Sequence, residues 1–295
     1  MQSRLLRHFL AVVERKNITA AADDLHISQP ALTRSIRQLE TTVGVPLFER
    51  LPTGVALTGH GEVLARRARL MDLEYQHALA EIGAMQHGLA GVLRIGAGPV
   101  WITTFLPPVV AAFHKQFPRV KVRLTSGVIN TLVPELLAGE IDAMCANLDF
   151  AAQSEIVKEP LVTIRHSVVA HAGHPLAGRG TVSAADMAKF SWLVLANDQV
   201  GTNRVGSYFV ANSLEPPNIA VETVALGIVK ILLEGDFLAH FPSRMLPDAE
   251  RFGLVSIPHE GTFWEAEAGI AYRRTNRPVR TVESFKAILR ASISG

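Results

Sequence analysis

The sequence predicts a two-part α/β protein, in which a helical N-terminal domain and a long helix precede a larger domain of alternating strands and helices. Three observations predict it. Residues 1–58 contain short apolar helical patterns separated by tight turns, and residues 59–88 form one helical stretch without proline. From Gly91 onward, apolar strand-like runs alternate with helical patterns. A chain of 295 residues is long enough for two or three such domains.

The composition supports a folded chain without a strong overall charge. Hydrophobic residues make up 48% and charged residues 19%, so the chain can bury a sizeable core and is not disordered. The formal net charge is only +2. Any surface that attracts nucleic acid must therefore be local.

The sequence carries neither a disulfide pair nor a targeting signal. Its one cysteine, Cys145, lies in an apolar run and is interpreted as buried and reduced, with a catalytic thiol as the less favoured alternative. Charges occur early at the N-terminus, so no secretory signal is predicted, and no apolar run is long enough to span a bilayer. We therefore expect a cytoplasmic protein with no membrane partner.

Two short helices are predicted before the region of greatest interest. The first places apolar side chains at helical spacing: Leu6, Phe9, Leu10 and Val13. The second is rich in alanine and runs from Ile18 to Leu25, with Thr19 as the expected N-cap. A short turn at His26 and Ile27 follows. Small alanine side chains would let this helix cross the next one closely.

A third helix is predicted to read DNA, from Ser28 to Leu39. Ser28 is the expected N-cap, Pro30 lies in the first turn, and Gly44 is the expected left-handed residue at the end. One face is apolar: Leu32, Ile36, Leu39 and Val43. The outer face can enter the major groove, and its candidate DNA contacts are Ser28, Gln29, Pro30, Thr33, Arg34, Arg37 and Gln38. The alternative is an ordinary solvated helix face.

Residues 45–58 predict a β-hairpin wing, because two short extended pieces flank a Pro-Thr-Gly turn. Leu47 and Phe48 would pack the wing on the core. Arg50 either contacts a phosphate or pairs with an acidic side chain of the domain, and both interpretations stay open. Thr53, at the tip, is a further candidate for a DNA contact.

These residues together resemble a known family. The resemblance rests on Phe9, Ala20–Ala22, Leu25, Ser28–Thr33, Ile36, Leu39, Glu40, Gly44, Leu47–Arg50, Leu57 and Thr58. With this set, the length and the layout behind it, the whole chain resembles the LysR-type transcriptional regulators.

The resemblance implies a winged helix-turn-helix, a dimerising linker helix, and an effector-binding domain similar to periplasmic binding proteins. It also implies a homotetramer that binds double-stranded operator DNA and a small-molecule effector, with Gln29, Pro30, Thr33 and Arg34 as base-reading residues. A contact with RNA polymerase is a further partner that it allows. The expected boundaries are 1–58 for the DNA-binding domain, 59–88 for the linker, 89–295 for the effector domain, 91–163 with 267–295 for its subdomain I, and 164–266 for subdomain II.

The wing departs from the family pattern. Members often carry a basic residue at its tip, whereas Leu51, Pro52, Thr53 and Gly54 form the tip here. Contact of the wing with the minor groove is therefore in doubt, and more of the affinity would fall on the reading helix and Arg50.

The linker predicts a partner helix. Apolar residues recur at heptad spacing: Leu64, Ala68, Met71, Tyr75, Ala78, Ile82 and Met85. A seam this narrow suits a second copy of the chain, and a dimer would read two half-sites spaced by helical turns of DNA. Arg66, Arg67 and Arg69 flank its start, either as a solvated face, which we favour, or near DNA phosphates. Gly88 and Gly91 are expected to end the helix.

The rear two-thirds predicts a parallel or mixed sheet with helices on both faces. The expected strands are 92–95, 120–125, 141–146, 167–170, 192–195, 219–222 and 237–240, with helices at 103–117, 131–138 and 224–234. The family resemblance places the two chain crossings between subdomains near Thr163 and Glu267.

Such sheets bind ligands where strands end and helices begin, and the loops there carry small, hydroxyl and amide residues. They suit a small anionic or aromatic carboxylate. The candidate effector contacts are Gly98, Val100, Trp101, Thr103, Ser126, Gly127, Asn147, Asn197, Gln199, Thr202, Thr223 and Phe241. Trp101 is equally well explained by core packing, and Thr223 is also expected to cap the following helix. Arg204 is more readily explained by a surface acid such as Glu215 than by a ligand.

No pattern in the sequence indicates an enzyme, a cofactor or a metal. Gly96-Ala97-Gly98 is an incomplete nucleotide fingerprint followed by Pro99, and there is no nucleophile elbow or Walker loop. His171 and His174 are interpreted as turn and surface residues rather than ligands. A ligand-responsive regulator is therefore favoured over two alternatives, a solute-binding protein and an α/β enzyme.

Overall fold

The computed structural model describes residues 4–87, 89–275 and 279–294 and divides into two units. One unit is formed mainly by the residues up to Ala90, and the other mainly by those from Gly91 onward. The predicted mixed α/β architecture with an N-terminal helix-turn-helix is confirmed. No helix in the described ranges is both long and apolar enough to cross a membrane.

The first unit begins with three helices and a hairpin: α1 (Arg4–Arg15), α2 (Ile18–Asp24), α3 (Gln29–Val43), β1 (Phe48–Leu51) and β2 (Gly54–Leu57). Phe9 and Leu32 are fully buried at the centre of their core, and the alanines at 21 and 22 are buried where α1, α2 and α3 meet. Leu47 is also fully buried, so the start of the wing is part of the same core.

One predicted helix cap of this unit is wrong, and another is in place without a side-chain capping bond. The N-cap of α2 is Asn17, not Thr19, and its side chain accepts a hydrogen bond from the Ala20 N–H at 3.1 Å. An amide oxygen two residues earlier thus makes the capping bond expected of the threonine hydroxyl. Ser28 does occupy the N-cap of α3, but its side chain makes no capping bond, and Gly44 ends α3 in the left-handed conformation with φ +82°.

A single long helix, α4 (Gly59–His87), follows the wing. Along the predicted seam, Ala68 is buried, whereas Met71, Tyr75 and Ile82 are 55%, 40% and 58% exposed. Gly88 and the side chain of Met85 lie outside the described residues. From Met71 onward, the seam therefore leaves apolar side chains in solvent within one chain.

The second unit alternates strands and helices. Its strands are β3 (Gly91–Ala97), β4 (Val120–Ser126), β5 (Ala143–Asn147), β6 (Ile156–His171), β7 (Ser191–Leu195), β8 (Ile219–Thr223), β9 (Phe237–Pro242), β10 (Leu254–Ile257) and β11 (Trp264–Arg273). Its helices are α5 (Leu106–Gln116), α6 (Ile129–Ala138), α7 (Ala184–Met187), α8 (Gln199–Ala211), α9 (Ala225–Leu232), α10 (Leu246–Arg251) and α11 (Arg280–Ser294), with a π-helical turn at Trp101–Phe105 and a 3₁₀ turn at Ser243–Met245.

All nine strands that the described residues form in this unit belong to one mixed sheet, ordered β4-β3-β5-β11-β6-β9-β7-β8, with β10 paired to β6. Two parallel parts, β4-β3-β5 and β9-β7-β8, are joined by antiparallel pairing through β11 and β6. Neighbouring residues of β7 enter different apolar clusters, Trp192 on one side and Leu193 on the other. Both faces of this sheet are therefore covered.

The long strands β6 and β11 were largely missed from the sequence. Thr163 and Glu267, the two residues expected near the chain crossings, are register partners on these strands. The pairing shifts register between Ala268 and Gly269, opposite Pro160. A Cβ on Gly269 would lie 2.0 Å from the carbonyl oxygen of Glu159, so glycine is required where the two backbones approach.

Three further expectations differ from the structure. His174 was expected at the surface but is only 2% exposed, and its Nδ1 accepts the Leu176 N–H at 3.1 Å. The N-cap of α9 is Val224 rather than Thr223. Arg204 pairs with a surface acid, as expected, but that acid is Asp149 rather than Glu215.

Candidate DNA-reading helix and effector pocket

The outer face of α3 carries most of the candidate DNA contacts in solvent. Ser28, Gln29, Pro30, Arg34, Arg37 and Gln38 are exposed, and Thr33 is half-buried. The Nε2 group of Gln29 donates to Thr33 Oγ1 at 3.0 Å, so these two side chains are held together one turn apart. The face therefore presents an oriented amide at its start and two exposed guanidinium groups, those of Arg34 and Arg37, behind it.

One acid of α3 positions the wing. Glu40 Oε1 accepts hydrogen bonds from the backbone N–H groups of Leu47 and Phe48, at 2.9 and 3.3 Å. Its carboxylate therefore faces the domain and not the DNA-reading side, which leaves the exposed outer face without a competing negative charge.

The wing is short and has an uncharged tip. β1 and β2 pair with Leu51 opposite Gly54, so Pro52 and Thr53 form the turn. Arg50 and Thr53 are both exposed. Among the described residues, Arg50 has no ion-pair partner, which favours the interpretation that it is available to a phosphate.

A cavity of about 100 Å³ lies in the second unit, where strands end and helices begin. Its walls are mostly apolar, and several helices begin at its edge: α6 at Val128–Ile129, α8 at Asp198–Val200 and α9 at Ala225. The π-helical turn at Trp101 also borders it. A π-helical turn is uncommon and is often found beside a binding site.

The structure brings half of the predicted effector contacts to this cavity: Gly98, Val100, Trp101, Gly127, Asn147 and Phe241. It places the others outside the lining: Thr103, Ser126, Asn197, Gln199, Thr202 and Thr223. Thr103 and Gln199 are exposed and bonded locally, to the Pro99 carbonyl and to Asn203. Asn197 adopts a left-handed backbone conformation with φ +63° and is exposed.

Four polar or aromatic residues of the lining were not anticipated: His166, Asp198, His240 and Trp264. His166 Nδ1 lies 3.1 Å from His240 Nδ1, and both rings are buried. The ring of His166 stacks on Trp264, with centroids 3.8 Å apart. A histidine inside the apolar run of β9 was the available sequence signal, because a buried imidazole needs a partner.

Burial controls the charge of these groups. Desolvation lowers the pKa of His240 to about 4, and desolvation together with the neighbouring His240 lowers the pKa of His166 well below its usual value. Burial raises the pKa of Asp198, although its Oδ1 accepts the Gly201 N–H at 3.0 Å. No lysine or arginine belongs to the lining as far as the described residues extend.

Several nitrogens of the lining have no hydrogen-bond partner among the described residues: Trp101 Nε1, Trp264 Nε1 and His166 Nε2. Buried polar atoms usually have hydrogen-bond partners, so the cavity wall has an unusual number of nitrogens without one. In the same described ranges, no three His, Cys, Asp or Glu residues cluster closely enough to hold a metal ion.

Together, these two units define a DNA-binding regulator, in which a winged helix-turn-helix is joined to a ligand-binding α/β unit. Comparison with known proteins supports this class. Residues 3–62 match the model of the bacterial regulatory helix-turn-helix proteins of the lysR family, and residues 86–294 match the LysR substrate binding domain. The chain belongs to the LysR family of DNA-binding transcriptional regulators, a family of regulators and not of enzymes.

Relatives and solved structures cover nearly the whole chain. The transcriptional regulator CysL of Bacillus subtilis (strain 168) is 29% identical over 88% of this chain and 86% of its own. A hydrogen peroxide-inducible genes activator of Pectobacterium carotovorum subsp. carotovorum is 28% identical over 88% and 85%. Full-length CbnR, solved with its target DNA, shares the fold with a TM-score of 0.70 and 24% identity over 99% of this chain and 100% of its own.

Proposed function

We propose that this regulator binds a compact anionic effector, an aromatic or short-chain carboxylate, in the cavity of its second unit, and that this binding alters how it holds operator DNA. The observation that carries the proposal is the cavity itself. Its apolar walls suit a ring or a short hydrocarbon, and the starts of α6 and α9 at its edge present backbone N–H groups and positive dipole ends, whereas the start of α8 is capped by Asp198. The three unpaired nitrogens in the lining favour a ligand with a polar group.

The volume of the cavity limits the ligand. A dry cavity of about 150 Å³ can hold benzene, and the cavity here is about 100 Å³. A single ring or a short chain therefore enters with small side-chain movements.

The DNA side of the proposal uses the exposed face of α3. Gln29, Pro30, Thr33 and Arg34 would contact base edges, and the remaining candidates, Ser28, Arg37, Gln38, Arg50 and Thr53, would contact phosphates or flanking bases. The CbnR structure with its target DNA supports operator binding for a chain of this fold. The protein would act in the cytoplasm, where its operator lies, and a contact with RNA polymerase bound nearby on the same DNA is part of the proposal.

Self-association completes the proposal. Met71, Tyr75 and Ile82 are exposed along one seam of α4 and would be covered by the same helix of a second copy. Two copies would present two reading helices, and a further pairing of dimers would give the tetramer. We propose that residues 1–58 bind the operator DNA, that residues 59–88 pair with a second copy of the chain, and that residues 89–295 bind the effector.

The name of the Pectobacterium relative does not extend to this chain. Cys145 is its single cysteine, is fully buried, and has a thiol whose pKa is raised by burial. Peroxide reacts with exposed thiolates. The buried thiol of Cys145 is therefore not suited to sensing peroxide.

A thermal-shift screen of aromatic and short-chain carboxylates on the full-length protein tests the effector proposal. A true ligand raises the unfolding temperature in step with its concentration. Ala225→Phe would fill the cavity from the start of α9 and should abolish the shift, whereas Leu226→Phe, at a side chain that is 64% exposed, should leave it intact. An equal shift in both variants would place the ligand elsewhere.

A further inference from the structure

The paired imidazoles of His166 and His240 form an unusual element of the cavity wall. They come from neighbouring antiparallel strands, β6 and β9, and their Nδ1 atoms lie 3.1 Å apart. The two side chains are buried at 8% exposure each. At that distance the two nitrogens share a hydrogen bond, which requires one N–H and one lone pair.

The hydrogen bond makes the two neutral rings opposite tautomers. A ring that donates from Nδ1 has a bare Nε2, and a ring that accepts at Nδ1 carries its proton on Nε2. Burial decides which is which. His166 Nε2 is buried without a partner among the described residues, whereas His240 Nε2 is not one of these unpaired atoms, so the second proton belongs on His240.

His166 is then the ring with the free lone pair. Its Nδ1–H donates to His240, and its bare Nε2 is buried without a partner among the described residues. This assignment leaves an unpaired acceptor, which is better tolerated than an unpaired N–H. A proton added to Nε2 would keep the bond to His240 and create a new donor.

The surroundings would accept a positive charge at His166. Its ring lies on the face of Trp264 with an interplanar angle of 23°, the arrangement of a cation–π contact. Among the described residues, Asp198 at the start of α8 is the charged group that faces the pair, and no Lys or Arg lines the cavity. Tyr208 of α8 and His259 after β10 lie behind Phe263, whose ring is 6.2 Å from that of His240.

We infer that His166 takes up one proton from solvent when an anionic effector enters, and that the resulting imidazolium supplies the positive charge that the cavity wall lacks. One N–H bond forms at Nε2, none breaks in the pair, and the new N–H donates to the carboxylate. The inference rests on the proposed effector class. Before binding, burial keeps both rings neutral near neutral pH, because it lowers the pKa of each. A bound anion in a low-dielectric cavity favours the charged form.

The inference fixes the sign of a pH dependence. The complex carries one more proton than the free protein and ligand, so affinity falls as pH rises. With one proton taken up, the dissociation constant rises about tenfold for each pH unit, as long as the free pair is neutral and the complex is protonated. A neutral ligand of the same shape shows no such slope.

Titration calorimetry of the full-length protein with benzoate, the smallest aromatic carboxylate, tests this. Benzoate stays ionised between about pH 6 and pH 8, and benzamide is its neutral counterpart. Repeating the titration in buffers with different heats of ionisation counts protons, and we expect about one per benzoate, with none for benzamide. This proton count tests the inference with the wild-type protein alone, whether or not a variant folds. His166→Asn can still donate to His240 but cannot titrate, so it should lose the uptake and the slope.

A second histidine variant serves as the control, and each possible result bears differently on the inference and on the proposed function. His174→Asn changes another buried histidine, one outside the lining, and should behave like the wild type. Benzoate binding without proton uptake, or uptake that persists in His166→Asn, overturns the inference and leaves the proposed function standing. Failure of benzoate to bind at any pH in this range contradicts both the inference and the aromatic carboxylate of the proposed function.

Discussion

The carbonyl oxygen of Lys16 accepts a hydrogen bond from the Val55 N–H at 3.0 Å. This bond ties the second strand of the wing to the loop between α1 and α2. Together with the two bonds that Glu40 accepts from Leu47 and Phe48, it fixes the hairpin from both ends. The wing is therefore a rigid part of the DNA-binding domain, although its tip carries no basic residue.

Gly54 makes that approach possible, so Gly54→Ala should destabilise the domain. Its φ is +142°, and a Cβ would lie 2.3 Å from the Lys16 carbonyl oxygen. A strained backbone and a backbone clash together should lower the free energy of unfolding by more than about 2 kcal/mol. Denaturant unfolding measures this free energy, and hydrogen exchange at the Val55 N–H measures the loss of its bond to Lys16. Gly59→Ala, with open space around it, is the control, and equal stability of both variants would rule out the clash.

The reading face of α3 should distinguish sequences through Gln29 and Arg34. Alanine at either position should weaken binding to an operator selected from random DNA by about 1–3 kcal/mol and affect non-specific DNA less. Thr33→Val should have a related but smaller effect, because it removes the partner that holds Gln29. Fluorescence anisotropy at fixed salt measures both affinities.

Arg179→Ala, an exposed arginine of the other unit, is the matched control and should bind both DNAs normally. Equal losses on operator and random DNA would mean that Gln29 and Arg34 hold only phosphates.

The DNA-binding half was predictable because its signals are local. The apolar stripe of α3, the proline in its first turn and Gly44 at its end lie within one short segment, and each corresponds to a known helix rule. The helix caps were harder to predict from the sequence. Asn17 and Thr19 are both good N-cap residues, and which one caps α2 depends on the preceding turn.

The cavity was only half predictable because its parts come from distant strands. Loops after β3 and β4 were found by their small residues, but β11 was missed. It alternates buried and exposed positions, yet its buried face is largely alanine, which has low strand propensity. β6 contains Pro160, which argues against a long strand until the bulge at Gly269 is known. The pairing of His166 with His240 follows from these strands, and no local pattern encodes it.

A charge in the α4 seam should prevent self-association. Ile82 is 58% exposed in one chain and would be buried between two, so Ile82→Glu should place like charges across the seam. Sedimentation velocity should show a smaller assembly and operator affinity should fall, because two reading helices are no longer linked. Gln76→Glu adds the same charge at an exposed position of α4 outside the seam and should not change the assembly. An unchanged assembly in Ile82→Glu would show that α4 does not pair.

Hydrogen peroxide should leave operator binding unchanged. The Cys145 thiol is fully buried, and its pKa is raised by burial, so little thiolate is available to react. Anisotropy before and after peroxide treatment measures operator affinity, and mass spectrometry measures oxidation of Cys145. Cys145→Ala should match the wild type in both conditions. A peroxide effect that disappears in Cys145→Ala would restore a thiol response.

The ionic cluster that anchors α11 should make stability depend on acid. Burial alone would raise the pKa of Glu159, but hydrogen bonds from Tyr272, Lys286 and Arg290 outweigh it and lower this pKa. Lys286 is 4% exposed and lies 3.0 Å from Glu159, and its pKa is raised to about 12. Glu159→Gln would leave the buried ammonium with Glu283, 2.7 Å away, as its acidic partner, so the loss should be smaller than the about 3–5 kcal/mol of an unpaired buried charge.

The pH dependence of Glu159→Gln separates charge from packing. A carboxyl group whose pKa is lowered by folding stabilises fully above its unfolded pKa and loses that effect as the pH falls through the folded value. The stability gap between the wild type and Glu159→Gln should therefore be full at neutral pH and close below about pH 4. Urea unfolding across this range measures it. Glu283→Gln removes the other, more exposed partner of Lys286 and should change less. A gap that stays constant into acid would mean that the glutamine disturbs packing rather than charge.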